Sequence, residues 1–202
     1  SGSSSSSGSD LGSHSARMRL CLLAALLLGS AGSSADLDAD AVTRNVQAMY
    51  EEFPFPSHNP EQTIPIGHIW ERGGGYIGPS HLPDLSHHLF GGRLERRFRG
   101  SGEELRVLFA GGGTGMTTLA LAQQLRAVEG LRWSIVHVDL TEASLAIARR
   151  RMAANGLGEP EVRFVHASLF DVDAAQLGGQ FDYIDCSGVL HHTPDPEGGL
   201  AN

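Results

Sequence analysis

The run Leu105–Ala110 breaks into Gly111-Gly112-Gly113-Thr114-Gly115, and this break constrains the fold more than any other feature of the chain. A short apolar run bounded by glycine predicts a strand. Leu119, Leu121, Ala122 and Leu125 then recur as on a helix, which Gly130 closes. The alternation continues. Trp133–Asp139 predicts a second strand, Glu142–Asn155 a helix stopped by Gly156, and Val162–His166 a third strand. Phe181–Cys186 predicts a fourth, after the Gly178-Gly179 turn. Strands and helices alternating at this spacing form βαβ units with right-handed crossovers. The expected fold is α/β, a Rossmann-like doubly wound and mostly parallel sheet.

In such sheets a ligand binds beyond the carboxyl ends of the strands, where strand order reverses. Glycine there permits positive φ and close approach to the backbone. Free N–H groups at the helix start are expected to favour a carboxylate or phosphate. The dinucleotide fingerprint G-x-G-x-x-G does not fit, because Met116 stands in place of the third glycine. A P-loop needs Gly-Lys-Ser or Gly-Lys-Thr, and all 15 basic residues are arginine. The spacing that fits is G-x-G-x-G, on Gly111, Gly113 and Gly115. Asp139, ending the second strand, suits the ribose hydroxyls of an adenosine ligand, and would suit those of NAD equally. It is also placed to act as a helix cap or loop acid, since Thr141 and Glu142 open the next helix.

Four stretches in order resemble the class I S-adenosylmethionine-dependent methyltransferases: Val107–Gly115, Val136–Thr141, Val165–Leu169 and Phe181–His192. The last contains Gly188-Val189-Leu190-His191-His192 before Pro194-Asp195-Pro196, a sequence typical of that family. The resemblance covers about residues 105–202, and Tyr50–Pro56 is similar to a lead-in found in some members. It implies S-adenosylmethionine as cofactor and methyl transfer as the activity. Gly111, Gly113, Thr114 and Gly115 would line its methionine part, Asp139 would hold the ribose, and Leu140 would pack near the adenine. Ser168 and Leu169 would sit beside the adenine ring, and Ser187 and Gly188 would face the methyl donor. Phe109 and Ser168 stand where many members carry acids. The family has no universal catalytic residue, so none is carried over. The family's sheet continues with three more strands, so an incomplete chain is expected, with the fourth strand left as a sheet edge. The competing readings are an NAD(P)-binding oxidoreductase of related topology and a non-catalytic module that kept the fold.

Around this domain (residues 105–202), residues 36–104 read as a helical and irregular extension or lid. A helix capped by Asp38 or Asp40 runs to about Phe53, and a second short one follows Pro83. The Arg93–Arg99 cluster reads as a solvated helix face. Residues 1–35 read as a leader. Residues 1–16 are mostly Ser and Gly; then Arg17-Met18-Arg19 precedes the nine-residue apolar run Leu20–Leu28, in the layout of a secretory or organellar signal. That run is too short to span a bilayer. If the leader does not function, the expected compartment is the cytoplasm.

The net charge of −8 weighs mildly against nucleic acid and favours a small-molecule or protein methyl acceptor, with all three open. Two cysteines, Cys21 and Cys186, make no disulfide framework. His191 and His192 match no common zinc spacing, so no metal is expected.

Overall fold

The computed structural model describes residues 38–57, 59–61 and 82–201. The expected leader, and residues 62–81 of the expected extension or lid, lie outside the described residues. The sheet is built from β1 (Glu104–Ala110), β2 (Arg132–Asp139), β3 (Val162–His166) and β4 (Tyr183–Asp185). All pairings are parallel, and the strand order is β3-β2-β1-β4. The chain builds outward from β1 to β3, then returns to the other flank of β1. Strand order therefore reverses between β1 and β4, beside the glycine loop, where this architecture opens a crevice.

Period-two alternation along β1 divides the core. Val107 and Phe109 enter one apolar cluster with Leu119, Leu121, Leu125, Ile135, Met152 and Val162. Leu108 and Ala110 enter the other, on the opposite face, with Val136, Val138 and Leu177. Each fully buried Leu or Phe stabilises the fold by about 1.5–3 kcal/mol. Helix α4 (Met116–Arg126) follows β1, and α5 (Glu142–Ala154) follows β2. Before the sheet come α1 (Ala39–Glu52), α2 (Leu82–Phe90) and α3 (Leu94–Phe98). Leu82, Leu85, Leu94 and Phe98 join the first cluster, so α2 and α3 share the core of the sheet. A 3-10 turn (Leu190–His192) and α6 (Pro196–Ala201) end the described chain.

Asp38 takes the α1 cap, accepting from the Asp40 N–H at 3.1 Å. β4 is shorter than the expected Phe181–Cys186. At its start, the Arg106 N–H goes to the Asp182 side chain (3.0 Å) instead of a β4 carbonyl. At its end, the Ser187 N–H turns back onto the Asp185 carboxylate at 2.9 Å. Among the described residues β4 is a sheet edge, and Ile184 on it is 56% exposed. No helix among the described residues is long and apolar enough to cross a membrane.

Candidate functional site

The carboxyl ends of β1, β2 and β4 deliver the glycine loop, Asp139 and Asp185 to one end of the sheet. Asp139, 9% exposed, joins two of these pieces. Its Oδ2 accepts from the Gly113 N–H at 2.8 Å, and its Oδ1 from the Thr141 N–H and hydroxyl at 2.9 and 2.8 Å. The loop-acid reading of Asp139 is therefore part of its role. A carboxylate offers about four acceptor positions, so one position on Oδ2 remains for a ligand hydroxyl.

The N–H groups of the glycine loop itself are engaged within the chain. Gly111 and Gly112 donate to the Val138 carbonyl at 2.9 and 3.0 Å, and Gly115 to Gly112 at 3.1 Å. Thr114 N–H donates to the Phe55 carbonyl at 3.3 Å, and the Thr114 hydroxyl to the Pro56 carbonyl at 2.8 Å. The absence of Cβ atoms is used by the protein itself. A Cβ on Gly111 would lie 2.6 Å from the Val189 side chain, one on Gly113 2.7 Å from the Phe55 oxygen, and one on Gly115 2.9 Å from Ala148. On Gly112 it would run into the His137 ring.

His137, fully buried in β2, supports the loop from beneath. Carbonyl oxygen only accepts, so Nε2–H donates to Gly113 (3.1 Å), and Nδ1 then accepts from the Thr118 hydroxyl (2.9 Å). Both ring nitrogens are satisfied with the imidazole neutral. Burial lowers its pKa to about 4, against the opposing pull of Asp139. Arg151, also fully buried, donates from Nε to the Thr114 carbonyl at 2.9 Å.

The other residues expected from the sequence gather at the same end. Leu140 accepts on its carbonyl from His166 Nε2 (2.9 Å) and from Gln47 Nε2 (3.3 Å). The Ser168–Leu169 loop is held beside Asp139 by the Ala167 N–H, which donates to the Asp139 carbonyl at 3.0 Å. The Ser168 hydroxyl oxygen accepts from the Phe170 N–H (3.2 Å), and Leu169 packs on the second core cluster. Ser187 and Gly188 are exposed, Gly188 with φ +75°, one residue before the Val189 that packs on Gly111. Phe109 is 1% exposed and belongs to the core; its register partner on β4 is the acid Asp185.

The expected N-terminal extension or lid contributes to this end of the sheet through α1. Tyr50 meets His192 edge-on, with ring centroids 5.9 Å apart, and His191 and His192 lie 3.9 Å apart. Burial, then the Asp139 charge, raises the Tyr50 pKa, so it stays a phenol. Burial, then His191, lowers that of His192, favouring neutral imidazole. Burial and Asp185 raise the Cys186 thiol, which disfavours a thiolate nucleophile. Among the described residues no group of three or more His, Cys, Asp or Glu is placed to hold a metal.

Residues 108–202 match the family described as methyltransferase domain. An uncharacterized protein of Synechococcus sp. is 36% identical over 80% of this chain and 34% of its own length. The ubiquinone biosynthesis O-methyltransferase of Aromatoleum aromaticum is 34% identical over 48% of this chain and 36% of its own. The solved structure of magnesium protoporphyrin IX methyltransferase from Synechocystis PCC 6803 with bound SAM aligns at 18% identity and TM-score 0.46, covering 84% of this chain and 72% of that one. The chain spans about a third of the length of the two curated relatives. The segment from Leu108 onward is therefore similar in sequence to methyltransferase domains.

Proposed function

We propose that this chain transfers a methyl group from S-adenosylmethionine to a small-molecule acceptor seated between α1 and the Leu190–His192 turn. The observation that carries the site assignment is the Asp139 carboxylate, hydrogen-bonded into a loop whose own N–H groups are all engaged. Such a site has negative charge and no spare loop donors. It suits a ligand bearing a sulfonium and an ammonium, while an anionic group on a ligand falls to the first-turn N–H groups of α4.

In this reading Gly111, Gly113, Thr114 and Gly115 line the methionine part, with the Phe55 and Pro56 carbonyls closing that end. Asp139 takes a ribose hydroxyl on Oδ2, Leu140 and Leu169 flank the adenine, and Ser168 offers its hydroxyl to the ring's edge. Ser187 and Gly188 face the methyl donor. When bound, the cofactor supplies a methyl already activated on sulfur, so the protein's task is to align an acceptor with it. His192, held neutral, is placed to take a proton from an acceptor that must lose one, and Tyr50 to donate a hydrogen bond to it. The name of one relative, a ubiquinone biosynthesis O-methyltransferase, supports this substrate class.

Calorimetric titration of the chain with S-adenosylhomocysteine, with NADH as control, tests the assignment. The expected result is binding of the former alone, weakened about 10- to 100-fold by Asp139→Ala, as loss of a charge-assisted contact implies. Binding of NADH, or unchanged affinity in Asp139→Ala, would sink it. We also propose that Met18–Ala35 directs the protein to a secretory or organellar route; a reporter carrying that segment and staying in the cytoplasm would refute this.

A further inference from the structure

α5 lacks a cap of its own. Its N-cap residue, Thr141, makes no side-chain bond to the helix, and its hydroxyl is turned to Asp139, donating to Oδ1 at 2.8 Å. The exposed first-turn N–H groups are met from α1 instead. Glu51 Oε1 accepts from the Glu142 N–H at 2.9 Å, and Glu51 Oε2 from the Ala143 N–H at 3.0 Å. The carboxylate thus closes on the positive end of α5 with both oxygens, from 91 and 92 residues away. α1 buries no residue fully, so apolar packing alone holds it weakly. Its other polar anchors fall on the same site: Gln47 on the Leu140 carbonyl, and Phe55 and Pro56, just past its end, on Thr114.

We infer that Glu51 is a positioning residue for cofactor retention: it supplies the cap that Thr141 gives up to Asp139, and so pins α1 and the Phe55-Pro56 strap across the mouth of the site. It acts without touching the cofactor. Asp139 keeps Thr141, Thr141 leaves α5 uncapped, and Glu51 closes the uncapped end, so the wall and the ribose acid are linked through one helix terminus. This rests on the cofactor site proposed above. Its neighbour Glu52, exposed and without a polar partner among the described residues, provides an internal control.

The test follows the release of S-adenosylhomocysteine by stopped flow from the whole chain and from Glu51→Ala, Glu51→Gln and Glu52→Ala, alongside thermal melting. Release is expected to be about fivefold faster in Glu51→Ala, intermediate in Glu51→Gln, which keeps one acceptor, and unchanged in Glu52→Ala. Amide exchange at Glu142 and Ala143, without ligand, is expected to quicken in Glu51→Ala only. A lower melting temperature with wild-type release would reduce Glu51 to a structural contact and overturn the inference. A wild-type chain that does not bind S-adenosylhomocysteine would overturn the cofactor-site reading, and this inference with it.

Discussion

His137 shows how much a single buried side chain can decide. Its pKa of about 4 lies below the ordinary 6.5, so the unfolded chain binds a proton that the folded chain refuses between those values. Stability from this group is therefore complete above about pH 6.5 and is lost as pH falls toward 4, to an extent of roughly 3 kcal/mol. Thermal melts from pH 7.5 to 4 are expected to show a steeper loss for the wild type than for His137→Phe, which cannot titrate. Parallel pH dependence of the two would contradict this. Gly112 is tied to the same ring. Gly112→Ala drives a methyl into His137 and is expected to lower stability by about 1–3 kcal/mol in urea titration, since the imidazole has no room to retreat.

Between elements, the contact of α4 with α5 is set by Gly115. It caps α4 with φ +79°, and a Cβ there would stand 2.9 Å from that of Ala148 on α5. Gly115→Ala combines left-handed strain of about 1–2 kcal/mol with crowding of similar size. Adding Ala148→Gly is expected to recover the crowding and leave the strain, apart from the intrinsic cost of about 1 kcal/mol for glycine in a helix. A double-mutant cycle by chemical denaturation measures this coupling, and strict additivity would show that the two positions do not meet. The sequence predicts both helices and the glycine loop before α4 from periodicity and punctuation. It carries no sign that α5 is capped from α1, because Glu51 and Ala143 are linked only by the folded path of the chain.

At the scale of the whole molecule, the sheet ends on β4 among the described residues, with Ile184 outward and its outer edge unpaired. Such an edge invites strand pairing between copies. Ile184→Lys is expected to reduce concentration-dependent light scattering while leaving helix content unchanged; equal scattering would place self-association elsewhere. The sequence by itself determined the order of strands and helices, the loop at the end of β1, and the acid at the end of β2. These follow from local rules: apolar period, glycine punctuation, and the tendency of βαβ units to wind one way. Tertiary structure alone decided that the loop's N–H groups are met within the chain, that Asp139 accepts from Gly113 in particular, and that Tyr50, Glu51 and Phe55 reach this end of the sheet. Each of those outcomes depends on which groups from distant segments arrive to satisfy a hydrogen bond or fill the space of an absent Cβ. Spacing along the chain does not record that competition.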